Sequence, residues 1–372
     1  MIAEVAVDLD AIARNAGALA RFNAPARLNA VIKANAYGHG LVPVARALAP
    51  HVARLCVYEL GEAVELRDAG IDTPIHVLGP VPSGDLETAH ASRVQLTLWD
   101  GGLYARQVAS VARRRRAPFA IQAKIDTGVV RLGIPFEDAV RELERYVATP
   151  EFSLVGAFTH IAAAEELDST FTHEQLARFA GATCTLDAQV ERHAAATAAA
   201  MLWPDTRLDA VRCGIGLYGI WPSEDTEARM RAQGLVLEPA LSWRTRIVAE
   251  HTIDAGTTVG YGRTWCAPGP ARIATIPIGY AEGLPRACGN FAQALVRGRR
   301  VPVVGRICMN MAFLDVTDAP DASIGDTVTL IGADGEERIS AEELAAACDT
   351  IAYEIVARLP AHVPRTYGPP AG

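Results

Sequence analysis

A chain of 372 residues, half of them hydrophobic, has the length and the apolar content for two domains with real cores. Its 43 acidic residues outnumber 35 basic ones, and the net charge of −8 supplies no global field for nucleic acid or anionic lipid. A small ligand is favoured over a polyanion.

The opening stretch MIAEVAVDLDAIARN has neither a basic start nor an apolar core region, so it does not read as a signal peptide. From there to about residue 235, short apolar runs alternate with alanine- and leucine-rich segments of helical spacing. The runs are RLNAVIK, RLCVYE, PIHVLG, VQLTL, FAIQAKI, LVGAFTH, VERHAAAT and LDAVRCG. GEAVELRDAG and FEDAVRELERYVATP are helical segments, and in FTHEQLARFAGATCTLDAQ the Thr172-to-Gln175 spacing fits a capping box. This alternation predicts an α/β fold, a parallel (β/α)8 barrel over residues 1–236, with a doubly wound open sheet as the competing arrangement. Arg113–Arg116 follows a helical stretch and reads as its solvated end. The alanine-rich run near residue 194 is too short to span a bilayer.

Past LVLEPA the texture changes. Residues 237–372 carry LSWRTRIVAE, ARIATIPIGYA, ALVRGRRVPVVGR, AFLDVT and DTVTLIG between Gly, Pro and Asp-Gly turns, which predicts a β-rich second domain. SAEELAAACDTIAYEIVARL predicts one late helix capped by Ser340. Cys56, Cys184, Cys213, Cys266, Cys288, Cys308 and Cys348 form no CxxC pair. The expectation is reduced thiols, no disulfide framework and no metal site, in a soluble cytoplasmic protein.

The C-terminal ends of barrel strands line the mouth where chemistry is done. Here those ends are Lys33, Glu59, Lys124, His160, His193 and Arg212, far more polar than the strand interiors. Lys33 is the sharpest case, because AVIK runs straight into ANAYGHG. A lysine closing a buried strand is costly to desolvate unless something uses it. Singly, such a lysine is most often a solvated stem and such a histidine a rim residue; together they suit a small anion. RCGIGLYG puts the N–H groups of Gly214 and Ile215 after the eighth run, where barrels seat phosphate, although a tight turn uses glycine equally well. A reactive lysine beside a phosphate site suggests a Schiff base with pyridoxal 5′-phosphate, which removes the lysine's charge.

AVIKANAYGHG resembles the cofactor-attachment motif of alanine racemases. KIDTGVVRLGI, FTHIA, VRCGIGLYG, VGYGRTW, IPIGYAEGLPR, VVGRICMN and IAYEIVARLPAHVPR resemble further motifs of that family, in the same order and over nearly the whole chain. The resemblance implies a barrel followed by a β domain, and a pyridoxal-phosphate isomerase that interconverts L- and D-alanine and supplies D-alanine for peptidoglycan. It also implies a homodimer with composite active sites. Lys33 then holds the cofactor and serves as base on one face of the substrate, and Tyr261 of the partner subunit serves on the other. Racemisation needs a proton removed on one side and delivered on the other.

The same resemblance assigns further positions. His160 matches a residue in that tyrosine's network. Tyr37, Thr197, Gly214, Ile215 and Tyr353 match phosphate-binding positions. Arg212 matches the donor to the pyridine nitrogen, where a guanidinium cannot accept a proton and so leaves a weaker electron sink. Arg131 matches the arginine near the substrate carboxylate, Lys124 a lysine carbamylated in many members, and Tyr280 and Met309 residues that reach the partner's barrel mouth. Val129, Val130, Ala196, Thr197, Leu284 and Asn310 depart from the commonest family pattern and bear on substrate preference and rate. A serine or broader racemase is the nearest alternative. A decarboxylase of related fold is disfavoured by Arg212, since such enzymes place an acidic partner at the ring nitrogen.

Overall fold

A computed structural model describes residues 3–166 and 168–368. The chain divides into two units, and the division does not follow the sequence in one cut. One unit comprises residues 12–34 and 41–238; the other gathers the described residues of 1–11, 35–40 and 239–372.

The first unit is a parallel barrel. Its strands run, in hydrogen-bonded order, Ala210–Cys213, Arg27–Val31, Arg54–Val57, Ile75–Val77, Gln95–Leu98, Phe119–Asp126, Phe152–Phe158 and Glu191–His193. Closure between last and first is made by the parallel bridge of Ala196 with Arg212 and by the Arg212 N–H donating to Ala195 O at 2.9 Å. Each strand coincides with one of the eight runs predicted from sequence. Buried parallel strands read as continuous apolar segments because both faces are covered. Helices such as Leu60–Asp68, Leu103–Arg115, Phe136–Ala148 and Thr170–Ala182 return the chain between strands. Arg113, Arg114 and Arg115 end one of them, paired with Glu151 and Glu87.

The second unit is mainly β. Its sheet runs Ala249–Ile253, Ala271–Ile276, Ala312–Asp315, Arg299–Val304, Gln293–Val296, Thr327–Asp334, Leu241–Arg246, Glu4–Val7 and Arg365–Tyr367. The first strand of the chain lies between two late ones: antiparallel to Leu241–Arg246, with Val5 opposite Trp243, and parallel to Arg365–Tyr367, with Val5 opposite Arg365.

Three expectations are corrected. The late helix is two helices, Ala341–Ala346 and Ala352–Ala357. Ser340 does cap the first, its hydroxyl accepting from Glu343 N at 3.1 Å. The break falls where Asp349 turns left-handed (φ 54°) and Cys348 is joined to Cys288. That disulfide also overturns the reading of all cysteines as free thiols. Finally, Thr172 and Gln175 lie inside their helix, which starts at Thr170, and both side chains are turned to the loop that follows Phe152–Phe158. No helix among the described residues is long and apolar enough to cross a membrane, and no group of three or more His, Cys, Asp or Glu among them could hold a metal.

Candidate functional site

Lys33 follows the Arg27–Val31 strand, Lys124 lies near the end of Phe119–Asp126, His160 follows Phe152–Phe158, and Arg212 sits in Ala210–Cys213. Their influence on one another is repulsive. Lys33 is pushed below the ordinary lysine value by burial and then by Arg131, with Glu62 opposing. Lys124 falls to about 8, by burial and then by Arg131 and Arg212. His160 falls to about 3, by burial and then by Arg212, Arg131, Lys124 and Lys33, so it is neutral at neutral pH. Glu62 and Asp126 offset only part of the repulsion among Lys33, Lys124, Arg131 and Arg212, so a further anion is favoured there.

Arg212 is the most constrained member. Its Nη1 donates to His193 O at 3.0 Å and to His193 Nδ1 at 2.6 Å. Its Nη2 donates to Thr159 O at 2.7 Å and Ala194 O at 3.0 Å. A guanidinium only donates, so His193 Nδ1 accepts and its proton lies on Nε2, which donates to Gln122 Oε1 at 3.1 Å. Arg212 also lies over the Phe158 ring, 5.1 Å from its centroid. Both terminal nitrogens are committed, whereas Nε has no acceptor among the described residues.

Arg131 is exposed, at the end of a turn organised by Asp126. Asp126 Oδ1 accepts from the N–H groups of Gly128, Val129 and Val130 at 2.9, 3.0 and 3.1 Å. Val130 is left-handed there (φ 55°). A β-branched residue is poorly suited to that region, where a glycine is at ease. Thr197, which opens the Thr197–Leu202 helix, and Gly214, which follows the Ala210–Cys213 strand, are joined, the Gly214 N–H donating to Thr197 Oγ1 at 3.0 Å. Gly216 in the following turn packs tightly: a Cβ there would lie 3.0 Å from Thr197 Cγ2, which would have to give by a few tenths of an ångström.

The segment after Lys33 is unusual. Ala34, Asn35, Ala36 and Tyr37 have φ of 55°, 54°, 52° and 52°, so the helix over Lys33–Tyr37 is a left-handed turn. Four such residues cost roughly 4–8 kcal/mol, at about 1–2 each, which surrounding structure must offset. Tyr37 at its end lies 6.3 Å, centroid to centroid, from the Tyr353 ring.

Other predicted positions gather in the β unit. Tyr261 lies in a turn between Gly260 and Gly262, both left-handed, and is 73% exposed. Tyr280 N donates to Cys308 O at 3.2 Å and Ala281 N to Met309 O at 2.8 Å, which joins the two loops. Asn310 Nδ2 donates to Glu282 Oε1 at 2.7 Å, so a carboxylate lies beside this residue.

Two predicted strand-end residues serve elsewhere. Glu59 precedes the Leu60–Asp68 helix, where Glu62 accepts from its N–H, and it is Glu62 that acts on Lys33. His193 is fully buried inside the barrel, stacked on Phe158 at 5.1 Å. Sequence reasoning missed Gln122, Phe158 and Gln175. The available sign was a polar residue within an apolar run, as in FAIQAKI.

Pyridoxal phosphate fits these residues on two counts. Its anionic phosphate answers the surplus of positive charge, and its ring nitrogen is the kind of acceptor that Arg212 Nε lacks.

The chain matches the family models for the alanine racemase N-terminal domain over residues 7–222 and the alanine racemase C-terminal domain over residues 240–367. It is 40% identical to the alanine racemase of Symbiobacterium thermophilum over 97% of this chain and 96% of that one. It is 38% identical to that of Desulfosudis oleivorans, over 97% and 95%. Among solved structures, the alanine racemase of D-cycloserine-producing Streptomyces lavendulae superposes with a TM-score of 0.93 at 32% identity, covering 100% of this chain and 98% of that one. The Bacillus anthracis alanine racemase with bound L-Ala-P gives 0.89 at 34% identity, covering 98% and 95%.

Proposed function

Because the chain belongs to the alanine racemase family, we propose that it interconverts L- and D-alanine with pyridoxal 5′-phosphate as cofactor. The observation that carries this reading is the cationic set around Lys33, which Glu62 and Asp126 oppose only in part, completed by the open Nε of Arg212.

Lys33 is the residue that holds the cofactor, and Arg212 Nε is the donor to its ring nitrogen. Thr197, Gly214, Ile215, Tyr37 and Tyr353 bind the phosphate. When bound, the cofactor withdraws electrons from the amino acid and acidifies its α-hydrogen. Arg131 offers a planar fork to the substrate carboxylate. The Lys33 amine, its basicity lowered by burial and Arg131, accepts the α-proton on one face. The hydroxyl of Tyr261 of the partner subunit serves the opposite face, and neutral His160 belongs to the hydrogen-bonding network of that tyrosine. Lys124, with its pKa near 8, has a neutral fraction that can add to carbon dioxide, forming an N–C bond and releasing one proton. The resulting carbamate replaces a cation among cations with an anion beside Arg131.

A homodimer is supported by apolar side chains exposed in the β unit: Tyr261, Tyr280, Phe291, Met309 and Met311. Exposed apolar groups in linked loops are a common mark of a surface covered by a second copy. In the cytoplasm such a dimer supplies D-alanine for peptidoglycan, a role that rests on the family alone.

Proton NMR with pyridoxal phosphate and L-alanine in D2O tests the reading. Loss of the α-proton signal with appearance of D-alanine supports it; an unchanged spectrum with cofactor on Lys33 sinks it. In Tyr261→Phe, exchange from one enantiomer is expected to fall by roughly 100-fold or more while the other is spared. Equal loss from both counts against two bases. The same sample with 13C-bicarbonate is expected to show a carbamate carbon that Lys124→Arg lacks.

A further inference from the structure

The left-handed turn at Ala34–Tyr37 is not held by its own sequence. Alanine and tyrosine have no preference for positive φ, and the chain beyond closes on the turn through Gly40 N to Asn35 O at 2.9 Å and His39 N to Ala36 O at 3.0 Å. Two side chains act on its exit. His39 is fully buried, and its Nδ1 lies 2.8 Å from Tyr37 O and 3.1 Å from Ala36 O. Carbonyls only accept, so Nδ1 carries the proton. Arg365, in the Arg365–Tyr367 strand, donates from Nε to Gly38 O at 3.0 Å. The rest of its guanidinium binds Leu359 O at 2.8 Å, Pro360 O at 2.5 Å and Val363 O at 2.6 Å. Glycine is required between them: Gly38 is left-handed (φ 80°), and a Cβ there would collide with Val356 O.

We propose that His39 and Arg365 are positioning residues for the cofactor, together clamping the exit of the left-handed turn so that Lys33 and Tyr37 are presented at its two ends. This rests on the reading of Lys33 as the cofactor lysine. His39 Nδ1 donates to Tyr37 O and adds a side-chain donor at Ala36 O, which already accepts from His39 N. Arg365 ties Gly38 to the segment that follows Ala352–Ala357, the helix that carries Tyr353. A single guanidinium thus couples the two tyrosine-bearing segments through backbone carbonyls. Burial holds His39 at a pKa of about 4, so the clamp keeps a neutral imidazole with its proton on Nδ1 throughout the neutral range.

The test uses holoenzyme of the full chain. Borohydride reduction and peptide mass first locate the cofactor on wild-type Lys33; if it is absent from Lys33, both this inference and the functional reading fall. Dissociation constants for pyridoxal phosphate are then measured for Arg365→Lys, His39→Leu and His39→Asn, with visible circular dichroism and hydrogen exchange of the peptide over residues 33–40. His39→Leu and Arg365→Lys are expected to weaken cofactor binding by roughly tenfold or more, about 1.4 kcal/mol. They are also expected to alter the cofactor's dichroism and to lose protection over 33–40 first. His39→Asn, whose amide nitrogen stands near the Nδ1 position, is expected to recover most of the affinity. Affinity and dichroism equal to wild type in both Arg365→Lys and His39→Leu would overturn the proposal. So would an equal loss in Leu and Asn variants, or a loss of protection spread evenly over the chain, either of which marks a merely structural role. Should Arg365→Lys fail to fold, the His39 pair decides alone.

Discussion

Val130 is left-handed at φ 55° and 88% exposed, so its side chain contributes almost no packing while its backbone is strained. Val130→Gly is expected to raise stability by about 0.5–1 kcal/mol, the relief of strain exceeding the entropy that glycine adds to the unfolded chain. A urea midpoint that falls instead would show that Val130 makes contacts worth more than the strain. The same position shows what was legible at this scale. The Val-Val pair stood out against the family pattern in the bare sequence, but its backbone conformation did not, since three N–H groups converging on Asp126 are a property of the folded turn. Lys33, Lys124, His160 and Arg212 were legible as positions because strand ends are legible. His193 does close its strand, Glu191–His193, but its side chain is fully buried in the barrel interior instead of standing at the rim, because side chains alternate sides along a strand and the sequence does not say which side a given residue takes.

At the scale of elements, the barrel strands stood out because each is a short apolar run between helical segments. The break in the late helix did not, because it falls where Cys348 is joined to Cys288, 60 residues upstream, a partner that local spacing does not reveal. The Thr170–Ala182 helix holds a different lesson. Gln175 looked like half of a cap, yet its Oε1 accepts from Ala162 N at 2.8 Å, and its Nε2 donates to Thr127 Oγ1 and His160 O, both at 3.1 Å. It therefore pins the His160 loop to the turn after Phe119–Asp126. Gln175→Leu, similar in size but without donors or acceptors, is expected to cost about 1–3 kcal/mol, read as a lower urea midpoint. An unchanged midpoint would mean that water replaces the amide without penalty. The left-handed turn was equally hidden: ANAY has the composition of an ordinary helix, and only its glycines announced an irregularity.

For the whole molecule, buried histidines set the response to acid. His39, His76 and His193 are fully buried, and burial lowers each below the ordinary 6.5, His39 to about 4. Between those values and 6.5 the unfolded chain binds protons that the folded chain refuses. Stability is thus fully present above pH 6.5 and is lost as pH falls toward the folded values, by up to roughly 1.4 kcal/mol per pH unit for each histidine. The urea midpoint at pH 5 is expected well below that at pH 7; equal midpoints would show that these rings are not held neutral. Assembly order adds a constraint of another kind. Barrel strands mostly pair with neighbours in sequence, so they can meet as they leave the ribosome. The Glu4–Val7 strand emerges about 360 residues ahead of its partner Arg365–Tyr367, since Val5 pairs with Arg365. At about 5–20 residues per second, that strand waits roughly 20–70 s for its edge to be covered. The segment at 35–40 waits almost as long for Arg365, so Lys33 is synthesised more than 300 residues before the arginine that ties down the turn beside it.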